Sequence, residues 1–432
     1  MRPLGVLYAS TYATAQNVPI VLNTPFTILK SSYKEDLKLL DHYPEEELEK
    51  IYTPIHHFKA DSIQIKPNVV ILILESFSKE YIGHYNHGKG YTPFLDSLIN
   101  QSLSFSNMYA NGKKSIEALP AILSGIPTLM NSAYISSKYA SNQISSIANE
   151  LNQLGYESSF YHGGSNGTMG FNAFSKMAGI KDYIGLDEYP NKKDYDGNWG
   201  IFDEPFLQFA VKDLSAKKQP FFSTLFTLSS HHPFTVPDKY KDRFPSGNLP
   251  ILESIAYADF ALKKFFESAQ KQTWFDETIF ILTADHTSHS ENPEYSTRTG
   301  IYKVPLIFYS PKYISPSESD RVTQHADIYP SLIDFLGYEA VINSYGTSVF
   351  NQEQRGFSIN YLTETFQFIN KDYALQHNGE KSVALYQIDG DSLQERNLVN
   401  TYPAVVKSLE KKFLAILQQY NNRMIRNKLV ND

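Results

Sequence analysis

Val69-Val70-Ile71-Leu72-Ile73-Leu74, running straight into Glu75, is the stretch on which the fold turns. A continuous apolar run of this length between polar neighbours reads as a central parallel strand covered on both faces. A second run of the same kind, Thr278-Ile279-Phe280-Ile281-Leu282-Thr283-Ala284, ends in Asp285-His286. Open α/β sheets put their chemistry beyond the carboxyl ends of such strands. Both runs therefore deliver to that edge the oxygen and imidazole donors that a divalent cation takes.

Outward from these runs, residues 68–337 alternate β-rich stretches with helical patterns, the signature of βαβ units and a mainly parallel sheet between helix layers. Strands are expected at 69–74, 103–110, 157–162, 220–228, 277–284 and 304–309. Thr92-Pro93-Phe94-Leu95-Asp96 reads as N-cap, N1 proline and first turn of a helix. A helix over 144–154 should stop at Gly155, and Ile251, Ile255, Ala258, Ala261 and Phe265 mark an amphipathic helix over 250–271. Beyond Gly337 the strand candidates become shorter and more polar, as in Ser382-Val383-Ala384-Leu385-Tyr386, and 402–428 reads as a Lys-rich surface helix. The expected organisation is a connector over 1–65, a catalytic α/β domain over 66–340 and a small C-terminal α+β lobe over 341–432.

Composition narrows the function. The 432 residues are 14% aromatic, which excludes a disordered chain, and carry a net charge of −7 with no basic cluster, which disfavours a nucleic-acid partner. No cysteine is present, so thiol catalysis, zinc-thiolate sites and disulfides are excluded while the compartment stays open. No stretch approaches the roughly 18 to 20 apolar residues of a membrane span, so the chain as given is expected to be soluble, either by itself or as the ectodomain of something longer.

A third element, Asn111-Gly112-Lys113-Lys114-Ser115-Ile116-Glu117, follows the strand at 103–110. A glycine-bearing turn before a helix start would expose Ser115 where backbone N–H groups favour negative charge. Serine is a nucleophile only if its pKa is lowered, which a cation held by Glu75, Asp285 and His286 would do.

Taken in order, Asn68 to Glu75, Gly112-Lys113-Lys114-Ser115, Phe160-Tyr161-His162-Gly163-Gly164, Thr227-Leu228-Ser229-Ser230-His231-His232-Pro233-Phe234 and Ala284-Asp285-His286 resemble the lipoteichoic acid synthase family of phosphoglycerol transferases. That family sits within the alkaline phosphatase and sulfatase superfamily. Tyr91-Thr92-Pro93-Phe94-Leu95, Trp199 to Phe206 and Asp327-Ile328-Tyr329-Pro330-Ser331-Leu332 extend the resemblance over about residues 66–340.

The resemblance implies an alkaline phosphatase/sulfatase-like α/β fold and a single-metal centre of Glu75, Ser115, Asp285 and His286. Manganese is its favoured ion, and the donor set would also accept zinc or magnesium. It implies Ser115 as nucleophile, His231 at the phosphoryl group or leaving oxygen, and His162 lining the substrate pocket. Its implied partners are a phospholipid headgroup donor, a glycan or glycolipid acceptor, and a membrane reached through a segment preceding this chain. The implied location is extracytoplasmic, at the outer face of the cytoplasmic membrane or in the periplasm, and a monomer is expected. Where polymerising synthases carry Trp and Arg downstream of that histidine, this chain has Ser165-Asn166-Gly167-Thr168-Met169-Gly170-Phe171.

Each residue also has a plainer reading. Ser115 could be only a helix N-cap, Asn166 only a turn residue, and Lys113 and Lys114 solvated turn residues, although either lysine could screen a phosphate, with Lys114 counted among the substrate-side candidates. His232 shares the substrate-side expectation with Asn166, while His289 and Glu291 read as rim residues and a second metal on His325 is the lesser reading. A sulfatase would need proline and arginine after its nucleophile, and Ser115-Ile116-Glu117-Ala118-Leu119 has neither. The same ordered residues could also serve a phosphodiesterase or phosphonate-type hydrolase, a phosphoethanolamine transferase, or a binding domain that has lost its chemistry.

Overall fold

The computed structural model describes residues 37–61 and 64–430; the first part of the segment read as a connector, residues 1–36, lies outside the described residues. A short helix, α1 (Glu45–Ile51), and a strand, β1 (Ile55–Phe58), precede the central sheet. The chain then runs β2 (Asn68–Leu74), α2 (Pro93–Ile99), β3 (Leu103–Tyr109), α3 (Ser115–Ser124), α4 (Ile147–Gln153) and β4 (Glu157–His162). It continues through α5 (Phe171–Met177), β5 (Asp182–Ile184), α6 (Asp203–Leu214), β6 (Phe221–Phe226), α7 (Leu252–Ala269) and β7 (Thr278–Ala284). The domain closes with β8 (Leu306–Tyr309), β9 (Ser317–Gln324) and α8 (Ile328–Leu336).

Eight strands form one sheet in the order β5-β4-β6-β2-β7-β8-β3-β9. Every residue of β2, β6 and β7 is buried, which is why their sequences are apolar without alternation. The sheet is parallel except for β8, which runs antiparallel to both β7 and β3. A parallel return needs a crossover helix. Between β7 and β8 there are only two short turns of helix, Pro293–Ser296 and Gly300–Tyr302, so β8 comes back antiparallel. β5 and β9, absent from the sequence reading, are the sheet edges, and the exposed first half of β9, Ser-Glu-Ser-Asp, has none of the apolar signal of a central strand.

The parallel register decides where the acids go. Leu74 pairs with Ala284 across β2 and β7, so Glu75 and Asp285 leave the sheet side by side. On the other flank Ile73 pairs with Phe226 of β6, and Thr227 donates its N–H to Ile73 O.

The helix at 93–99 starts where expected but is capped differently. Thr92 Oγ1 donates to Asp96, and the Phe94 and Leu95 N–H groups are taken at 2.9 Å by the carboxylate of Asp259 on α7. Gly155 does follow α4 with φ +83°, the left-handed conformation that favours glycine.

After α8, strand β10 (Ala340–Asn343) pairs antiparallel with β1. An antiparallel meander follows, β11 (Ser358–Leu362), β12 (Thr365–Ile369), β13 (Tyr373–His377) and β14 (Ser382–Gln387), and the last helix is α9 (Pro403–Ile425). The expectation of a surface helix over 402–428 is corrected. Phe413, Ile416, Tyr420 and Met424 of α9 are buried, with Phe413 against Phe366 at 5.5 Å and Tyr420 against Tyr345 at 5.4 Å; Lys407 and Lys411 stay outside, while Lys412 lies over the Phe357 ring at 4.5 Å. Spacing by three and four makes that face legible, and the lysine content masks it.

The segment before α1 lies along α9. Gln418 Oε1 accepts the N–H groups of His42 and Tyr43, Gln418 Nε2 donates to Tyr43 O, and Asn422 accepts from Leu40 N and donates back to Leu40 O. No helix among the described residues is long and apolar enough to cross a membrane.

Candidate metal and nucleophile site

Glu75 and Asp285 are both buried, at 2% and 0% exposure, and among the described residues only His286 stands within ion-pair distance of either. Asp285 Oδ1 accepts the backbone N–H groups of Ser76 at 2.8 Å and His286 at 2.7 Å. Its other oxygen, Oδ2, is buried with no hydrogen-bond donor. Glu75 Oε1 accepts from Ser76 Oγ at 2.7 Å and Oε2 from Ser115 Oγ at 3.2 Å. Burial, and next the negative charge of Asp285, push the Glu75 carboxyl well above the usual carboxylate range.

His286 completes the cluster. Its Nδ1 lies 2.8 Å from Thr287 O, and a carbonyl can only accept, so Nδ1 carries the proton and Nε2 holds the lone pair. That Nε2 is 3.2 Å from Asp285 Oδ2, 3.8 Å from Glu75 Oε1 and 3.4 Å from Ser115 Oγ. Donors that share one cation at about 2.1 Å stand roughly 3 to 3.5 Å apart. Glu75, Asp285 and His286 offer atoms within 4.8 Å of one another, so the residues fit a divalent cation, and the orphaned Asp285 Oδ2 is where the need for one is plainest.

Ser115 is the first residue of α3 and is not its cap; Lys114, extended, holds that position without a side-chain bond. The Ser115 hydroxyl is thus free to turn towards Glu75 and His286. The turn before it is tight. A Cβ on Gly112 would lie 2.4 Å from Glu117 Cβ, and Glu117 Oε2 accepts the N–H of Lys113 at 2.7 Å.

The two lysines part company. Lys114 is exposed and pairs loosely with Glu117 at 3.7 Å. Lys113, read as solvated, turns inward instead: its Nζ donates to Thr287 Oγ1 at 2.5 Å and Ile301 O at 2.9 Å, and burial lowers its pKa to about 8. It ties the turn before Ser115 to the loop of His286. Nothing in the dipeptide Lys113-Lys114 distinguishes the two.

His162 ends β4, packed against Phe171 at 5.4 Å and Phe226 at 5.3 Å, with Nδ1 3.3 Å from Phe226 O. Burial lowers its pKa to about 4, so it is neutral at pH 7. His231 lies in the loop after β6, half-buried, with Nδ1 2.9 Å from His232 O and its ring against Trp199 at 4.1 Å. His232 is exposed and meets Phe234 at 5.5 Å.

Asn166 is not turned towards the cluster. Its amide donates to both oxygens of Glu188 at 3.0 and 2.8 Å, and its Oδ1 accepts from Asp187 N, which is the turn role of an Asn. His325 has no spare nitrogen for a second metal, which corrects that reading. Its Nε2 donates to Ala284 O at 2.7 Å, so Nδ1 accepts from Asn111 N at 3.3 Å, and burial lowers its pKa to about 4. It braces the residue before Asp285 against the turn before Ser115.

Comparison with known proteins gives the family and the fold. Residues 67–338 match the family described as Sulfatase. The chain is 24% identical over 382 residues to the lipoteichoic acid synthase-like protein YvgJ of Bacillus subtilis, across 82% of this chain and 60% of that protein. It therefore spans about three-fifths of that curated relative's length. Among solved structures, a protein of the alkaline phosphatase superfamily from Vibrio parahaemolyticus superposes with a TM-score of 0.78 at 24% identity, covering 95% of this chain and 98% of that one. The lipoteichoic acid synthase LtaP of Listeria monocytogenes superposes with a TM-score of 0.73 at 19% identity, covering 90% and 99%.

Proposed function

Because this chain belongs to the sulfatase family, we propose that it is a phosphoryl-group transferase that moves a phosphoglycerol-type headgroup from a phosphodiester lipid to a hydroxyl acceptor by way of a phosphorylated Ser115. The observation that carries the reading is the contact of Ser115 Oγ with both Glu75 and His286, at 3.2 and 3.4 Å, on a helix start that does not need the hydroxyl for capping. The likeness to proteins named as lipoteichoic acid synthases supports the choice of substrate class.

In the first half-reaction Ser115 Oγ attacks phosphorus, its proton passing to Glu75 Oε2 at 3.2 Å and returning to Oγ when the Oγ–P bond later breaks; the Oγ–P bond forms and the bond to the lipid oxygen breaks. His231 enters this step protonated at both nitrogens and gives the Nε2 proton to that leaving oxygen, which leaves the Nδ1–H form held by His232 O. In the second half-reaction an acceptor hydroxyl attacks phosphorus, the Oγ–P bond breaks, and His231 Nε2 takes the acceptor's proton. Glu75, Asp285 and His286 would hold a divalent cation, which when bound supplies Lewis-acid stabilisation of the serine oxygen and the phosphoryl oxygens. Neutral His162 walls the site at the end of β4 without adding charge.

Ser115→Ala tests the reading. It removes one buried oxygen that makes no cap, so the melting temperature should hold while turnover of phosphatidylglycerol falls by at least a thousandfold. A variant that still turns over at the parent rate would remove Ser115 as nucleophile.

A further inference from the structure

We propose that Trp199 is a positioning residue that holds the His231 ring in one tautomer and one plane; the proposal rests on the reading of His231 as the carrier of the transferred proton. The Trp199 and His231 ring centroids are 4.1 Å apart at an interplanar angle of 56°. Trp199 Nε1 donates to His232 O at 2.7 Å, the same carbonyl that lies 2.9 Å from His231 Nδ1. A carbonyl oxygen has two lone pairs. One takes the indole N–H and the other the imidazole N–H, which puts the His231 proton on Nδ1 and leaves Nε2 as the free position.

The indole is itself locked. Asp196 Oδ1 accepts the backbone N–H groups of Asn198 at 2.8 Å, Trp199 at 2.8 Å and Gly200 at 3.1 Å. Gly200 lies so close to Gly163 that a Cβ there would sit 2.3 Å from Gly163 O, and Ile201 N donates to the same oxygen. The far end of the loop is tied to the loop that carries His231. Asp203 accepts Leu228 N at 2.7 Å and Ser229 N at 3.1 Å, and Asp203 N donates to Ser229 Oγ at 2.9 Å.

The loop carrying Trp199 and the loop carrying His231 are thus one braced unit. Its outer end is a tryptophan left 36% exposed, too open for a core role, with its only polar side-chain atom spent on the carbonyl that orients the histidine.

The test compares wild type with Trp199→Phe, which keeps a ring and loses the N–H, and Trp199→Ala, which loses both, with His231→Gln as reference. One readout is the His231 tautomer from two-bond ¹H–¹⁵N spectra of the neutral imidazole, which needs no turnover. The other is kcat and KM for phosphoglycerol release from phosphatidylglycerol in mixed micelles.

Wild type should show the Nδ1–H form alone. Trp199→Ala should show both tautomers, with kcat lowered on the order of tenfold and KM within about twofold, and Trp199→Phe should lie between. A single unchanged tautomer in Trp199→Ala overturns the proposal, and so does a loss in which kcat, KM and melting temperature fall together. If His231→Gln turns over like wild type, the proton-carrier reading fails by itself, and the tautomer spectra still decide whether Trp199 holds the ring.

Discussion

A buried carboxylate oxygen without a donor is expensive, and Asp285 Oδ2 lies beside a second buried acid and the lone pair of His286 Nε2. A cation held by the cluster would recover that cost. Asp285→Asn removes the charge that, after burial, raises the Glu75 carboxyl, so chelator-treated protein should melt no lower than the parent. The same substitution should abolish the rise in melting temperature on adding manganese, a stabilisation of about 2.7 kcal/mol for the parent at a hundredfold excess over Kd. An undiminished metal-dependent rise in the variant would contradict the ligand assignment. At this scale Asp285-His286 stood out in the sequence, because adjacent ligand types directly after a buried strand are hard to explain by packing, whereas Glu75 alone reads equally as a cap or ion-pair partner and stood out only within the ordered set of motifs. Lys113 and Asn166 were not legible, since burial of one lysine in a pair and an amide spent on Glu188 depend on loops whose course no periodicity encodes.

At the scale of elements, parallel register does the assembling. Leu74 opposite Ala284 brings two acids together that are 210 positions apart in the chain, and the turn from β3 into α3 brings the hydroxyl. That turn depends on Gly112, where a methyl group would meet Glu117 at 2.4 Å. Gly112→Ala should destabilise the protein by about 1–3 kcal/mol in denaturant titration, the range for overpacking, and lower turnover beyond what the stability loss explains because Ser115 moves with the turn. A variant with parental stability would show that Glu117 yields freely. The central strands and α7 follow from apolar pattern alone. β5 and β9 escaped because edge strands carry polar residues, and the antiparallel entry of β8 followed from the missing crossover helix, a feature of the connection rather than of the strand.

At the scale of the whole molecule, the C-terminal helix α9 joins the ends of the described chain. Its Gln418 and Asn422 satisfy the backbone of residues 40–43, which has no strand partner of its own. Gln418→Ala should leave the His42 and Tyr43 N–H groups without that acceptor, costing about 1–3 kcal/mol locally and raising hydrogen exchange in 37–43 while the central strands keep their protection. Uniform exchange across the protein would refute a local strap. The family match covers residues 67–338, and the order of motifs from Glu75 to His286 within it was legible in the sequence, whereas the loops after His162 and around His231 carry no periodic signal from which a donor or acceptor could be read. The most direct measurement of the central claim is intact and peptide mass of the metal-loaded protein after brief exposure to phosphatidylglycerol and acid quench. The account predicts a phosphoglycerol adduct on the peptide containing Ser115, absent from Ser115→Ala; turnover with no adduct on that peptide, or with an adduct elsewhere, would contradict it.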